Sequence, residues 1–321
     1  MKHLLSFSVF QPLNELTDGD FGSFLGSIGC DGLELFTLYD EVPKEYYPYS
    51  PSVHLPYAVD WYRGWTGQID RNRYSRGDLD YITYGVDREE IVINIRRMID
   101  RVVPMSPAYG VLHAGNTDMS QVFSRHYSSD DRVYLEAFAE MVNAATADYK
   151  GGEPPIMLAF ENLWWSGLKL REPWEYKLLE DKVEFDNWCF CLDTGHMMNT
   201  LPDAYDEGSA IEGVMRIVDR YPQDMRDRIK VMHFHYSASA EYRHSFEEKE
   251  VDTAQGYEKL MGDSYEHVGH IDQHRPYTDR KCLEIVDAIR PDYLTHEMLC
   301  GNGRDYVADF IKQRSLFEKT C

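Results

Sequence analysis

Eight short apolar runs, separated by stretches with helical periodicity, constrain the fold of this 321-residue chain more than any other feature. They fall at residues 4–10, 32–36, 52–55, 109–113, 156–160, 188–192, 229–235 and 293–297. Several are almost continuously apolar, as expected of strands buried on both faces of a parallel sheet. Helical patterns occupy residues 87–102, 130–149, 207–220, 279–289 and 304–316. In the second, Tyr134, Ala137, Phe138, Met141 and Val142 recur at helical spacing behind Asp130, a good N-cap residue. Eight alternating units predict an α/β fold, a (β/α)8 barrel, as a single domain over residues 1–321. No G-x-G-x-x-G or G-x-x-x-x-G-K-[ST] turn favours a doubly wound sheet instead. Insertions near residues 57–86 and 236–271 each follow a strand end that carries histidine, and both are expected to wall or cover a site.

Composition narrows the class of partner. The chain is 43% hydrophobic and 13% aromatic, enough to build a large core. Its formal charge is -22, from 55 acidic against 33 basic residues, which opposes binding to DNA or another polyanion. A basic stretch, Arg63, Arg71, Arg73 and Arg76 among Trp61, Trp65 and Tyr74, suits either one small anion or a solvated loop. The six cysteines include no C-x-x-C pair, and Cys189 and Cys191 lie in an apolar run that predicts core packing. Residues 2–10 lack a cleavage-site pattern and are expected to form the first strand, not a signal peptide. No apolar run reaches the roughly 20 residues of a membrane span. These features together predict a cytoplasmic protein with a small-molecule substrate; the oligomeric state is not legible.

Polar residues cluster at the ends of these runs. His54 ends the third, His113 the fourth, and Glu161 follows the fifth. Asp193 follows the sixth and opens Asp193-Thr194-Gly195-His196; His233 and His235 lie late in the seventh; Glu297 ends the eighth. In a barrel, such strand ends converge on one mouth, where the fold keeps its chemistry. A lone histidine at such a place is commonly structural. Glu161 is harder to dismiss, because a carboxylate ending an apolar strand is costly without a partner. Carboxylates and imidazoles sharing a rim suit divalent cations, with Zn²⁺ preferred and Mn²⁺ or Fe²⁺ as alternatives. His296 alternates away from Glu297 and is expected to pack toward the helices.

On these residues the chain resembles the xylose isomerase-like barrels, which include sugar isomerases and epimerases and the endonuclease IV group (family 2 of the apurinic-site endonucleases). The resemblance runs from the second strand to the eighth, and Asp193-Thr194-Gly195-His196 is its sharpest motif. Glu161, Asp193, His233 and Glu297 match, in order, the four ligands of a single-metal epimerase site. The endonuclease IV pattern implies five more, matched by His54, His113, His196, Asp272 and His274, and with them up to three zinc ions. Asp272-Gln273-His274 is aligned across a long insertion, where His267 and His270 compete for the same role. Tyr236 stands where an aspartate is common, and His235 inherits no role from the family.

The full ligand complement points first to hydrolysis of a phosphoester on a small substrate, with Glu161, Asp193 and Glu297 as the catalytic candidates. The alternative is a metal-dependent sugar or sugar-phosphate isomerase or epimerase, using one metal and Glu161 and Glu297 as paired carboxylates. A non-enzymatic metal sensor explains the barrel but not a rim so dense in ligands. His235, Trp61, Trp65, Trp164 and Trp165 are candidate substrate contacts, with packing at the barrel mouth as the competing role for the tryptophans.

Overall fold

The computed structural model describes residues 1–118, 121–125, 130–251, 257–298 and 303–318. Eight parallel strands close into a barrel: β1 (Lys2–Ser8), β2 (Gly32–Phe36), β3 (Ser52–His54), β4 (Tyr109–His113), β5 (Met157–Glu161), β6 (Trp188–Asp193), β7 (Ile229–His233) and β8 (Tyr293–His296). Each strand pairs with its neighbours in chain order, and β8 returns to β1. All eight runs read from the sequence are barrel strands.

Period-two alternation divides the strand side chains. Leu4, Tyr109, Val111, Ala159, Cys189, Cys191 and Val231 form a small cluster inside the barrel. Alternate residues such as Leu5, Leu35, Val53, Leu112, Phe160, Phe190 and Leu294 join the larger core shared with the helices. Leu5, Leu35 and Phe160 are fully buried; at roughly 1.5–3 kcal/mol for each such side chain, this layer is the main source of the barrel's stability.

The helices obey the caps legible in the sequence. Asp87 caps the helix Arg88–Val102 by accepting from Glu90 N–H, and Ile91, Ile95, Met98, Ile99 and Val102 face the sheet. Asp130 caps Asp131–Thr146 through Arg132 N–H, an interaction worth about 1 kcal/mol. That helix ends three residues before the expected 149, and Gly151 then turns the chain at φ +72°. No helix among the described residues is long and apolar enough to cross a membrane.

The two insertions differ in use. Residues 57–86 form two short helices, Trp61–Trp65 and Arg76–Thr83, packed on the barrel's flank. Here Arg63 pairs with Asp60 and Arg71 with Asp87, while the side chains of Arg73 and Arg76 lie outside the described residues. The second insertion supplies the helix Tyr257–Ile271, which crosses the barrel mouth and delivers Asp272 to it.

Candidate metal centre

Strand register brings the rim residues level with one another. His113 on β4 lies opposite Glu161 on β5, and Asp193 on β6 opposite His233 on β7. Asp272 and His274 come from outside the sheet. An antiparallel bridge between Tyr236 and Arg275 fixes them beside the end of β7, with N···O distances of 2.9 and 3.0 Å.

The nine expected ligands meet in three sets whose donor atoms all lie within 4.8 Å of one another: His54, His113 and Glu161; Glu161, Asp193, His233 and Glu297; and His196, Asp272 and His274. Glu161 belongs to two of them. Its Oε2 is 3.3 Å from His54 Nε2 and 3.1 Å from His113 Nε2, while Oε1 is 3.2 Å from His233 Nδ1. His233 Nδ1 also lies 3.0 Å from Glu297 Oε2 and 3.6 Å from Asp193 Oδ2. Asp272 Oδ2 sits between His196 Nε2 at 3.2 Å and His274 Nε2 at 2.7 Å. These residues form a site able to hold divalent metal.

Two further observations fit the side chains to cations. The first concerns the outward imidazole nitrogens. His54 Nδ1 meets Leu55 O at 2.8 Å, His196 Nδ1 meets Asn162 O at 2.9 Å, and His274 Nδ1 meets Glu297 O at 3.1 Å. A carbonyl on Nδ1 fixes the proton there and leaves the Nε2 lone pair facing the centre, as a metal ligand requires. His233 is reversed: Nδ1 faces the centre and Nε2 lies 2.8 Å from Glu34 Oε1. The second is an orphan. Glu297 Oε2 is buried with no hydrogen-bond partner, although His233 Nδ1 is close by. A bound cation would satisfy it.

Electrostatics agree. Burial alone would raise the carboxyl pKa values, but His113 and His233 hold Glu161 well below the ordinary range, and His274 and His196 do the same for Asp272. Asp193 is likewise lowered against burial by His196 and His235, and Glu297 is lowered to about 2 by His233 and His274. Burial depresses His113. The same effect on His196 and His233 is outweighed by neighbouring carboxylates, with Cys191 adding to the effect at His233; both imidazoles stand well above their usual value. Burial also works against the His274 imidazolium, but Asp272 overcomes it and raises the pKa to about 9. Four ionised carboxylates are thus buried or nearly so around one focus, where the imidazolium forms of His196, His233 and His274 supply the positive charge that bound cations could replace.

The mouth opens into a cavity of about 510 Å³. Phe7, Phe36, Tyr57, Trp164, Trp165 and Tyr265 wall it, and its described lining contains neither Lys nor Arg. Trp164 lies 5.0 Å from the His196 ring, and Tyr57 stacks on His113 at 4.4 Å. Trp61 and Trp65 are not in this wall, which corrects the expectation for them. Trp61 donates to Gly115 O and packs on Phe138; Trp65 lies under Arg88. Their short helix turns them toward the helical layer. His267 and His270, the competitors for Asp272 and His274, face Tyr242 instead and join none of the three sets.

Sequence reasoning passed over Glu34, Asn162 and Tyr57. Glu34 interrupts an apolar strand just as Glu161 ends one, and that was the available signal. It accepts from Tyr109 Oη at 2.6 Å and from Thr295 Oγ1 at 3.0 Å beneath His233. Asn162 ties the strand ends together, accepting from Asp193 N–H and donating to Asp193 O.

No protein-family model matches the chain, and no curated protein matches it in sequence. Solved structures do share its fold. A D-tagatose 3-epimerase-like protein is 14% identical with a TM-score of 0.51, over 98% of this chain and 97% of its own. Endonuclease IV from Thermus thermophilus is 13% identical with a TM-score of 0.50, over 98% of each chain. The 3-keto-D-glucoside 4-epimerase of E. coli is 12% identical with a TM-score of 0.50, over 98% of this chain and 99% of its own.

Proposed function

We propose that this chain, whose fold is that of the xylose isomerase-like barrels, hydrolyses a phosphoester of a small substrate at a centre of up to three divalent ions, zinc foremost. The observation that carries this reading is the joining of two ligand sets through Glu161, with the third set beside them, His196 Nδ1 lying 3.3 Å from Glu161 Oε1. Nine side chains exceed the roughly four that one zinc ion uses. Bound ions would supply charge for the phosphoryl oxygens and an activated water. Glu161 and Asp193, where the sets adjoin, orient the attacking water, and Glu297 closes the set on the far side. The absence of Lys and Arg from the described lining leaves phosphate recognition to the centre, and the aromatic wall suits a ring-bearing remainder. The wall and the net charge of -22 also argue against a DNA substrate.

The names of the similar structures support the alternative better, since one of the three is an epimerase and another is epimerase-like. One observation favours it here. Glu161, Asp193, His233 and Glu297 form a complete four-residue set by themselves, with two glutamates available as paired bases. That reading leaves His54, His113, His196, Asp272 and His274 without a shared purpose, although they are buried or nearly so and converge on the same focus.

Elemental analysis of protein purified without chelator, together with two substrate panels, separates the readings. Hydrolysis predicts more than one ion per chain and phosphomonoester release from small phosphodiesters. A stoichiometry of one, with solvent hydrogen entering a ketose and no phosphoester turnover, makes the isomerase the answer.

A further inference from the structure

One more buried imidazole faces the ligand sets. His235 is fully buried; its Nε2 lies 2.9 Å from Asp193 Oδ2 and 3.8 Å from Glu297 Oε2. By distance alone, His235, His274 and Glu297 make a fourth set of donors. Ring geometry argues against that. The His235 and His274 rings are parallel within 7° with centroids 4.0 Å apart. An imidazole nitrogen presents its lone pair in the ring plane, so an ion bound to one of these rings lies well out of the plane of the other. Stacked imidazoles do not share an ion.

We infer that His235 is a positioning residue, which donates from Nε2–H to Asp193 and braces the face of His274, so that one ring holds members of two ligand sets. Asp193 Oδ1 already accepts from His196 N–H at 2.6 Å. With His235 on Oδ2, both carboxylate oxygens are oriented by N–H donors. The ring's other edge is spent on packing. Nδ1 has no hydrogen-bond partner and lies against Gly195, where a Cβ would come within 2.1 Å of Cε1 and 2.5 Å of Nδ1. The glycine of Asp193-Thr194-Gly195-His196 is needed for this close approach. Thr194 Oγ1 donates to His235 O at 2.6 Å and locks the backbone. On its other face the ring covers His274, whose φ of +45° is a conformation that side-chain-bearing residues seldom adopt and that needs surrounding support.

The inference rests on the metal reading, so its test measures metal directly. Zinc-loaded protein is titrated with a chromophoric chelator to give the number of ions and their affinities, and melting of the stripped protein reports folding. His235→Gln keeps an N–H near the Nε2 position; His235→Phe keeps the ring face and loses the donor. Loss of such an outer partner weakens metal binding about 10–100-fold. That loss is expected for His235→Phe with the fold intact, while His235→Gln, which keeps the donor and loses only the ring face on His274, is weakened less. If His235→Phe does not fold, His235→Asn, too short to reach Asp193, takes its place with the same expectation. Wild-type affinities in the donorless variant overturn the inference and leave the metal reading standing. Loss of a whole ion in His235→Gln also overturns it, by making His235 a ligand. A wild-type chain that binds no zinc overturns both.

Discussion

Two groups of buried histidines sit at different places around the same sheet, and their neighbours give them opposite chemistry. At the mouth, His54, His196, His233 and His274 are surrounded by Glu161, Asp193, Asp272 and Glu297, and these four imidazoles are raised despite burial, while at His113 burial prevails over Glu161. Behind the sheet, His3 on β1 and His296 on β8 stack at 5.4 Å among Phe234, Phe310 and Phe317, and burial pushes both down. Each ring in the second group is used for structure. His296 Nε2 meets His3 Nδ1 at 3.1 Å, and Gln313 Nε2 meets His296 Nδ1 at 2.8 Å. Burial is common to both groups. Carboxylate partners, and nitrogens aimed at one focus, distinguish a metal centre from a packed histidine.

The comparison breaks most visibly at Glu161. Glu161→Gln keeps the shape but removes the charge shared by two ligand sets. Metal content should fall by at least one ion per chain, and kcat/KM should drop by more than the roughly 100-fold typical of an outer partner. Elemental analysis beside the phosphodiester assay checks this. A variant that kept its full metal content would show that Glu161 is held by the histidines alone, and the rim group would then resemble the group behind the sheet.

A smaller effect is expected at the edge of the rim. Asp272→Asn combined with His274→Ala dismantles the third set but leaves the other two complete. The double variant should lose part of its metal and retain at least one ion, as anomalous scattering at the zinc edge would locate. An unchanged stoichiometry would reduce the centre to the four residues around His233 and move the isomerase reading forward.

The barrel was legible because its strands carry their own punctuation. A polar residue closing an apolar run marks both a strand end and a rim position, which is how His54, His113 and Glu161 came to attention together. Asp272 and His274 were visible only through family resemblance, since they follow a long insertion and belong to no barrel strand. Trp61 and Trp65 could not be assigned between substrate contact and packing, because nothing in the sequence orients a five-residue helix on the flank. Glu34 escaped because its partners, Tyr109, Thr295 and His233, come from three other strands. His235 could be placed one strand period from His233, but its role depends on a ring stack that only three-dimensional structure supplies.

The smallest expected effect concerns the histidines behind the sheet, and its sign follows from their protonation. Gln313 fixes the tautomers. Its Oε1 accepts from Tyr277 N–H at 2.7 Å and its Nε2 donates to Phe234 O, so the same nitrogen must also donate to His296 Nδ1. His296 then donates from Nε2 to His3 Nδ1, and both imidazoles are neutral. Burial lowers His3 from 6.5 to about 4, with Arg314 adding to the effect, and His296 also lies well below 6.5. Unfolded, each histidine takes up a proton near pH 6.5; folded, neither does until the medium is much more acidic. The stability they contribute is therefore complete above pH 6.5 and is lost as pH falls from there toward 4, at about 1.4 kcal/mol per pH unit for each histidine. His3→Asn keeps an acceptor for His296 and removes one titrating group. Metal release at the mouth affects wild type and variant alike, so the difference between their melting temperatures isolates the pair. That difference should shift in the variant's favour by a few degrees per pH unit between pH 6.5 and 4, and stay constant above. A difference independent of pH would show that His3 titrates alike in both states, and the contrast between the two histidine groups would then rest on geometry alone.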